Sequence, residues 1–226
     1  MTILTLNSIT TLKLIISSFL LSIAAFGVAF FLVKDHLEIK KINLPVTYAI
    51  FCASSLFLTL FLSSFPLLHP TTLLLLLFSF SLMVTAHTDA QTLLISPLCT
   101  VYLIPCAFLG SYLEWLPSSL PYSVLGATVG TLTLWTTAYC ARRYYGTDAL
   151  GQGDIDLLAC IGAFLGSIKC LRILFLGSLV GSLWGIVLLL KQGKNARSTQ
   201  LPFGTFLALA GLIEILTTYK VIPQLF

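Results

Sequence analysis

Eight long apolar runs divide this 226-residue chain, and they constrain its fold more than any other feature. About 20 apolar residues is the length that crosses a hydrocarbon core as a helix. The runs cover residues 14–33, 45–65, 71–88, 93–113, 121–141, 154–167, 170–190 and 203–222. A helix satisfies its own backbone N–H and C=O groups, as lipid requires, and the gaps are too short for a large extramembrane domain. The expected fold is all-α, a polytopic transmembrane helical bundle of about eight spans forming one membrane domain over 1–226. Within it, 1–70 holds two N-terminal spans joined by a short cytoplasmic hairpin. Only 9% of residues are charged and the mean hydropathy is +1.01, whereas soluble domains carry about 25% charge. The first run is longer than a signal-peptide core of about 7 to 15 residues, and is read as a retained span.

Most prolines lie in the gaps, where a missing backbone donor is tolerated. Pro97 and Pro105 instead fall inside the fourth run and predict a kink or broken turn there. Basic residues record topology in a polytopic chain. Lys34, Lys40, Lys41, Arg142, Arg143, Lys191, Lys194 and Arg197 follow odd-numbered runs, eight of the 12 in the chain, which assigns those loops to the cytoplasm. The net charge of +4 is explained in this way, and no nucleic acid partner is expected; the lipid bilayer is. The six cysteines have no C-x-x-C pair and read as small apolar residues, with no metal or cofactor implied. Small residues four apart, at Gly126 and Gly130, Gly162 and Gly166, and Gly177, Gly181 and Gly185, suit close helix packing. Packing within the chain is the main use expected, and a homodimer the lesser one.

Acids in so apolar a chain need a reason, since a carboxylate at a helix centre costs about 2.5 kcal/mol or more. Asp35 and Glu38 belong to the basic hairpin, Glu114 flanks Trp115 at an interface, and Asp148 lies in a polar loop. Glu214 stands deep in the last run and calls for a partner. Asp89 and Asp154 differ from these, because each sits at a run's edge with no lysine or arginine close in sequence, and loop parity puts both on the cytoplasmic side. Carboxylates that share a site do not both ionise readily, so a pair holds a proton and can activate water, as in aspartic proteases. Gly151 and Gly153 flank Asp154 closely, and glycine permits unusual backbone angles and close approach of a substrate strand. The segment Leu201-Pro202-Phe203-Gly204-Thr205 opens the last run on the same side, where helix-start amides favour negative charge. Structural capping and helix packing remain alternative uses of these residues.

Three stretches resemble the type IV prepilin leader peptidases, polytopic aspartyl proteases with a G-x-G-D motif. They are TAHTDAQTLLISP around Asp89, TDALGQGDIDLLACIGAFLG around Asp154, and LPFGTFLALAG from Leu201 to Gly211. The resemblance implies a peptidase core within 71–226, with Asp89 and Asp154 as the catalytic pair. It further implies Gly151, Gly153, Pro202, Phe203 and Gly204 as loop or substrate-binding residues, and prepilins or pseudopilins as substrates. The location it implies is the bacterial inner membrane, with the site facing the cytoplasm. Asp156 stands where the family often has lysine, Ser96 and Pro97 replace a usual proline and aspartate, and the hairpin from Lys34 to Asn43 stands where many members carry a C-x-x-C methyltransferase domain. Cleavage without N-methylation is therefore expected. The alternatives are a proton-coupled transporter or channel and a non-catalytic membrane scaffold.

Overall fold

The structure, a computed structural model, describes residues 69–146, 150–192 and 200–218. The first two apolar runs, the Lys34 to Asn43 hairpin, Cys52 and Asp148 lie outside the described residues. Six α-helices and two 3-10 turns account for nearly all of the rest, with no strand among the described residues. The helices are α1 (Pro70–Thr92), α2 (Ile104–Tyr112), α3 (Leu120–Tyr145), α4 (Gln152–Leu165), α5 (Ser167–Gln192) and α6 (Phe203–Thr218).

Local chemistry sets their ends. Pro70, Pro105 and Pro121 occupy the first turns of α1, α2 and α3, where no N–H is needed. α3 closes on Gly146 at φ 70°, after Arg142 and Arg143 in its last turn, where cations complement the helix dipole. α4 ends at Gly166, whose φ of 83° is open to glycine and disfavoured for side chains, and α5 starts immediately after it.

The fourth apolar run does not form one span. Its first half is 3-10 turns at Pro97–Cys99 and Val101–Leu103, and only the nine residues of α2 are α-helical. Nine residues rise about 14 Å, well short of the roughly 30 Å hydrocarbon thickness. The break falls at Pro97 and Pro105, as their place in the sequence predicts, because each ring clashes with the turn before it in a continuous helix, and the Ser81 hydroxyl of α1 donates to the Cys99 carbonyl to hold the turn. Two described helices, 70–92 and 167–191, are long and apolar enough to cross a membrane. The all-helical class thus stands, while the count of about eight spans is not reproduced among the described residues.

The closest pairings are α3 with α4, α1 with α6, and α5 with α6. The core runs between α1, α4 and α6, where Leu75, Phe78, Leu82, Leu157, Phe164 and Leu207 are fully buried. Phe78 and Phe164 stack with ring centroids 4.2 Å apart. By contrast α5 turns Phe175, Leu179, Leu183, Trp184 and Leu190 outward, an apolar face too large for a water-facing monomer and suited to lipid.

The glycine faces serve contacts within the chain. A Cβ on Gly126 would collide with the Gly162 carbonyl, one on Gly162 with the Gly126 carbonyl, and one on Gly130 would lie 2.5 Å from the Leu158 carbonyl oxygen. The Ser123 hydroxyl donates to the Ala163 carbonyl at 2.6 Å in the same seam. Gly177 and Gly181 in turn receive Leu207 and Phe206 of α6. Gly162→Ala is expected to destabilise the protein by about 2 kcal/mol, because backbone cannot yield as a side chain can. Gly185→Ala would meet only the end of the Leu201 side chain at 3.3 Å and gains helix propensity, so it should be neutral or stabilising. Thermal unfolding of both variants in detergent checks the contrast.

Candidate active site

Three chain ends meet at one point: the last turn of α1, the first turn of α4 and the first turn of α6. Asp89 sits three residues before the end of α1, and its carbonyl accepts the Leu93 N–H at 2.9 Å. Leu93 itself adopts φ 58°, a left-handed geometry that costs a side chain about 1 to 2 kcal/mol and turns the chain away sharply after Thr92. The Asp89 side chain is buried and its Oδ2 accepts two bonds from α6, from the Thr205 N–H at 2.6 Å and the Thr205 hydroxyl at 2.9 Å. The same hydroxyl lies 3.3 Å from the Ala86 carbonyl oxygen.

Asp154 enters from the first turn of α4, its N–H donating to the Gly151 carbonyl at 3.2 Å. Asp154 Oδ1 is shut off from solvent and has no hydrogen-bond partner among the described residues. Gly204 lies between the two acids. A Cβ placed on it would stand 3.1 Å from Asp154 Oδ1 and 3.2 Å from Asp89 Cγ. The separation of those two atoms cannot exceed the sum of these distances, which places the carboxyls in the range where like charges couple.

The other residues singled out by sequence differ in their relation to the pair. At Gly204 a side chain would crowd both acids. Gly151 caps α4 with φ −74° and ψ 143°, ordinary extended angles open to any residue, and Gly153 is helical; the unusual backbone angles expected of them are absent. Gly153 is needed for a different reason, since its Cβ would lie 2.8 Å from Cβ of Ile95. Pro202 precedes α6, and Phe203 lines a cavity of about 400 Å³ bounded also by Thr137, Leu150, Ser182 and Phe206. Asp156 points elsewhere, its Oδ1 accepting from Gln152 at 3.1 Å, as expected for a residue two positions from Asp154 on a helix.

Thr205 and Ile95 escaped the sequence analysis as site residues. Thr205 stood within the quoted LPFGT stretch, and its place in the first turn of a helix opposite an isolated acid was the available signal. Ile95 packs into the space left by Gly153 and Gly204, with its Cδ1 2.5 Å from the position of a Gly204 Cβ; nothing in its sequence context marks it. Glu214 has its partner in Arg172, whose guanidinium Nη1 is 2.7 Å from Glu214 Oε1, and it belongs to the opposite end of α6. No three His, Cys, Asp or Glu side chains among the described residues are grouped to hold a metal ion.

An integral membrane protein of all-helical described structure, with a coupled carboxyl pair held between helix ends, is the class that fold and site define. Residues 75–186 match the type IV leader peptidase family, and through them the chain belongs to that family. A Pseudomonas aeruginosa protein named prepilin leader peptidase/N-methyltransferase is 35% identical over 144 residues, which are 63% of this chain and 48% of the relative. A Xanthomonas campestris protein of the same name is 40% identical over 91 residues, 40% of this chain and 31% of the relative. The Dichelobacter nodosus counterpart is 31% identical over 141 residues, 62% of this chain and 47% of the relative. The chain thus spans a third to a half of the length of these relatives. No solved structure matches it.

Glu214 tests the distinction between a structural and a site acid. Arg172→Met leaves a buried carboxylate without its cation and is expected to destabilise by roughly 2 kcal/mol or more. The double variant Arg172→Met with Glu214→Leu should recover most of that loss, and equal instability of the single and double variants in thermal unfolding would show that the pair is not the cause.

Proposed function

We propose that this chain is a membrane aspartyl endopeptidase that removes the basic leader from prepilins or pseudopilins at the cytoplasmic border of the inner membrane, without N-methylation. The observation that carries the proposal is the meeting of Asp89 and Asp154 on either side of Gly204, where even a methyl group would intrude between them.

One ionised and one protonated carboxyl suffice for peptide hydrolysis. The ionised group takes a proton from water as the water oxygen bonds to the carbonyl carbon, while the protonated group gives its proton to the carbonyl oxygen. Collapse of the resulting gem-diol returns that proton, breaks the C–N bond and delivers the water-derived proton to the leaving amine. The scissile bond follows the leader's last glycine, a residue whose lack of a side chain suits a site this narrow. The cavity beside Phe203 reaches Leu150 and Leu201, chain neighbours of the G-x-G-D and P-F-G motifs, and offers room for the apolar residues beyond the cut.

The absence of C-x-x-C from the sequence motivates the restriction to proteolysis. A transporter reading asks for a proton-carrying acid deep in the spans, and Glu214, the acid that comes nearest to this, is engaged by Arg172. Orientation toward the cytoplasm rests on the basic loop residues and on the requirement that a basic leader be reached before its apolar helix leaves the bilayer.

Cleavage of a prepilin by the full chain in membranes, read by mass spectrometry, tests the proposal. Asp89→Asn and Asp154→Asn should each lower the rate by at least about 10³, whereas Asp156→Asn should remain within about threefold of the parent, since a surface charge two residues away acts weakly. Parent-like processing by either of the first two variants would rule out the carboxyl pair, and a methyl group on the new N-terminus would rule out the restriction to proteolysis.

A further inference from the structure

The two aspartates are held very differently. Asp89 Oδ2 receives the Thr205 amide at 2.6 Å and the Thr205 hydroxyl at 2.9 Å, both at the start of a 16-residue helix whose free amides and dipole favour negative charge. The amide contact has the shortness of a charge-assisted bond. Asp154 Oδ1, by contrast, is buried with no acceptor or donor among the described residues. A bare carboxylate oxygen in such a place is costly, and a carboxylic acid is much less so.

We propose that Thr205 is a positioning residue that fixes the negative charge of the pair on Asp89 and leaves the proton on Asp154, which makes Asp89 the base toward water and Asp154 the acid toward the carbonyl oxygen. This rests on the peptidase reading above for its catalytic consequence, but not for the placement of the proton. Both donors of Thr205 converge on one oxygen, Oδ2, so that the other, Oδ1, stays available to accept the proton from water. Gly204 adds to the asymmetry by bringing backbone rather than a side chain between the acids.

Two measurements test the assignment. In cleavage assays of the full chain on a prepilin, Thr205→Val, which keeps the shape and the backbone amide, should lower kcat about tenfold with KM unchanged, and Thr205→Ser should restore it. In thermal unfolding without substrate, Asp89→Asn should lower Tm by about 5 °C or more through loss of the charge-assisted bonds, whereas Asp154→Asn, a neutral group replacing a neutral group, should leave Tm unchanged or raised. Equal kcat loss in the Val and Ser variants, a change confined to KM, a Val variant as fast as the parent, or the reverse order of the two Tm values would each overturn the assignment. If the Tm order holds while the parent leaves the prepilin uncleaved, the proton placement stands and the peptidase reading falls.

Discussion

The contact on which the rest of the structure depends is the one between the Asp89 carboxylate and the first turn of α6. It spans 116 residues of sequence and joins the end of one helix to the beginning of another. A carboxylate in an apolar bundle must be compensated, and free amides at a helix start are a compensating group that brings no counter-ion. Their position fixes the depth of α6 against α1, because Oδ2 must lie within hydrogen-bonding reach of residue 205 and of no other turn. The closeness of Gly204 to Asp89 follows from that register.

Such a register is reachable only if backbones approach closely. Gly126 and Gly162 place α3 and α4 in direct backbone contact, and in α5 Gly177 meets the Leu207 backbone of α6 while Gly181 makes room for the Phe206 ring. In lipid there is no hydrophobic drive between helices, so contact area and dispersion must supply the association. Small residues therefore act at a distance: α4 carries Asp154 at its first turn, and its position is set by the glycine seam one to three turns further along. α5 turns its broad apolar face outward and holds α6 with its other side.

What could be read in the sequence was whatever rarity made conspicuous. Asp89 and Asp154 stood out because a chain with 9% charge leaves few acids unexplained, and loop parity put them on one side before any geometry was known. Thr205 did not stand out, since threonine is common in these helices and its role exists only where its two donors meet an acid from another helix. The fourth apolar run has the hydropathy of a span, but its Pro97 and Pro105 announce in the sequence the broken turn that the structure shows. Gly151 and Gly153 were read for backbone freedom, whereas Gly153 is required by the side chain of Ile95. At the prolines the reason is local and legible; at Gly153 the residue type is informative but the reason is tertiary.

Two buried acids in α6's surroundings are stabilised by opposite means, and the contrast bears on function. Glu214 is met by the Arg172 guanidinium, nine residues along α6 from Thr205, or about 14 Å at 1.5 Å per residue. There the ion pair ties α5 to α6 and gives the acid a structural use. At the other end the compensation comes from an amide and a hydroxyl, which act on the one oxygen they touch and fall away within a turn. A guanidinium beside Asp89 would favour ionisation of both aspartates at once and remove the acid that the reaction needs. Local donors aimed at a single oxygen stabilise one charge and leave its neighbour to keep a proton, which is the condition under which two identical side chains can do two different things.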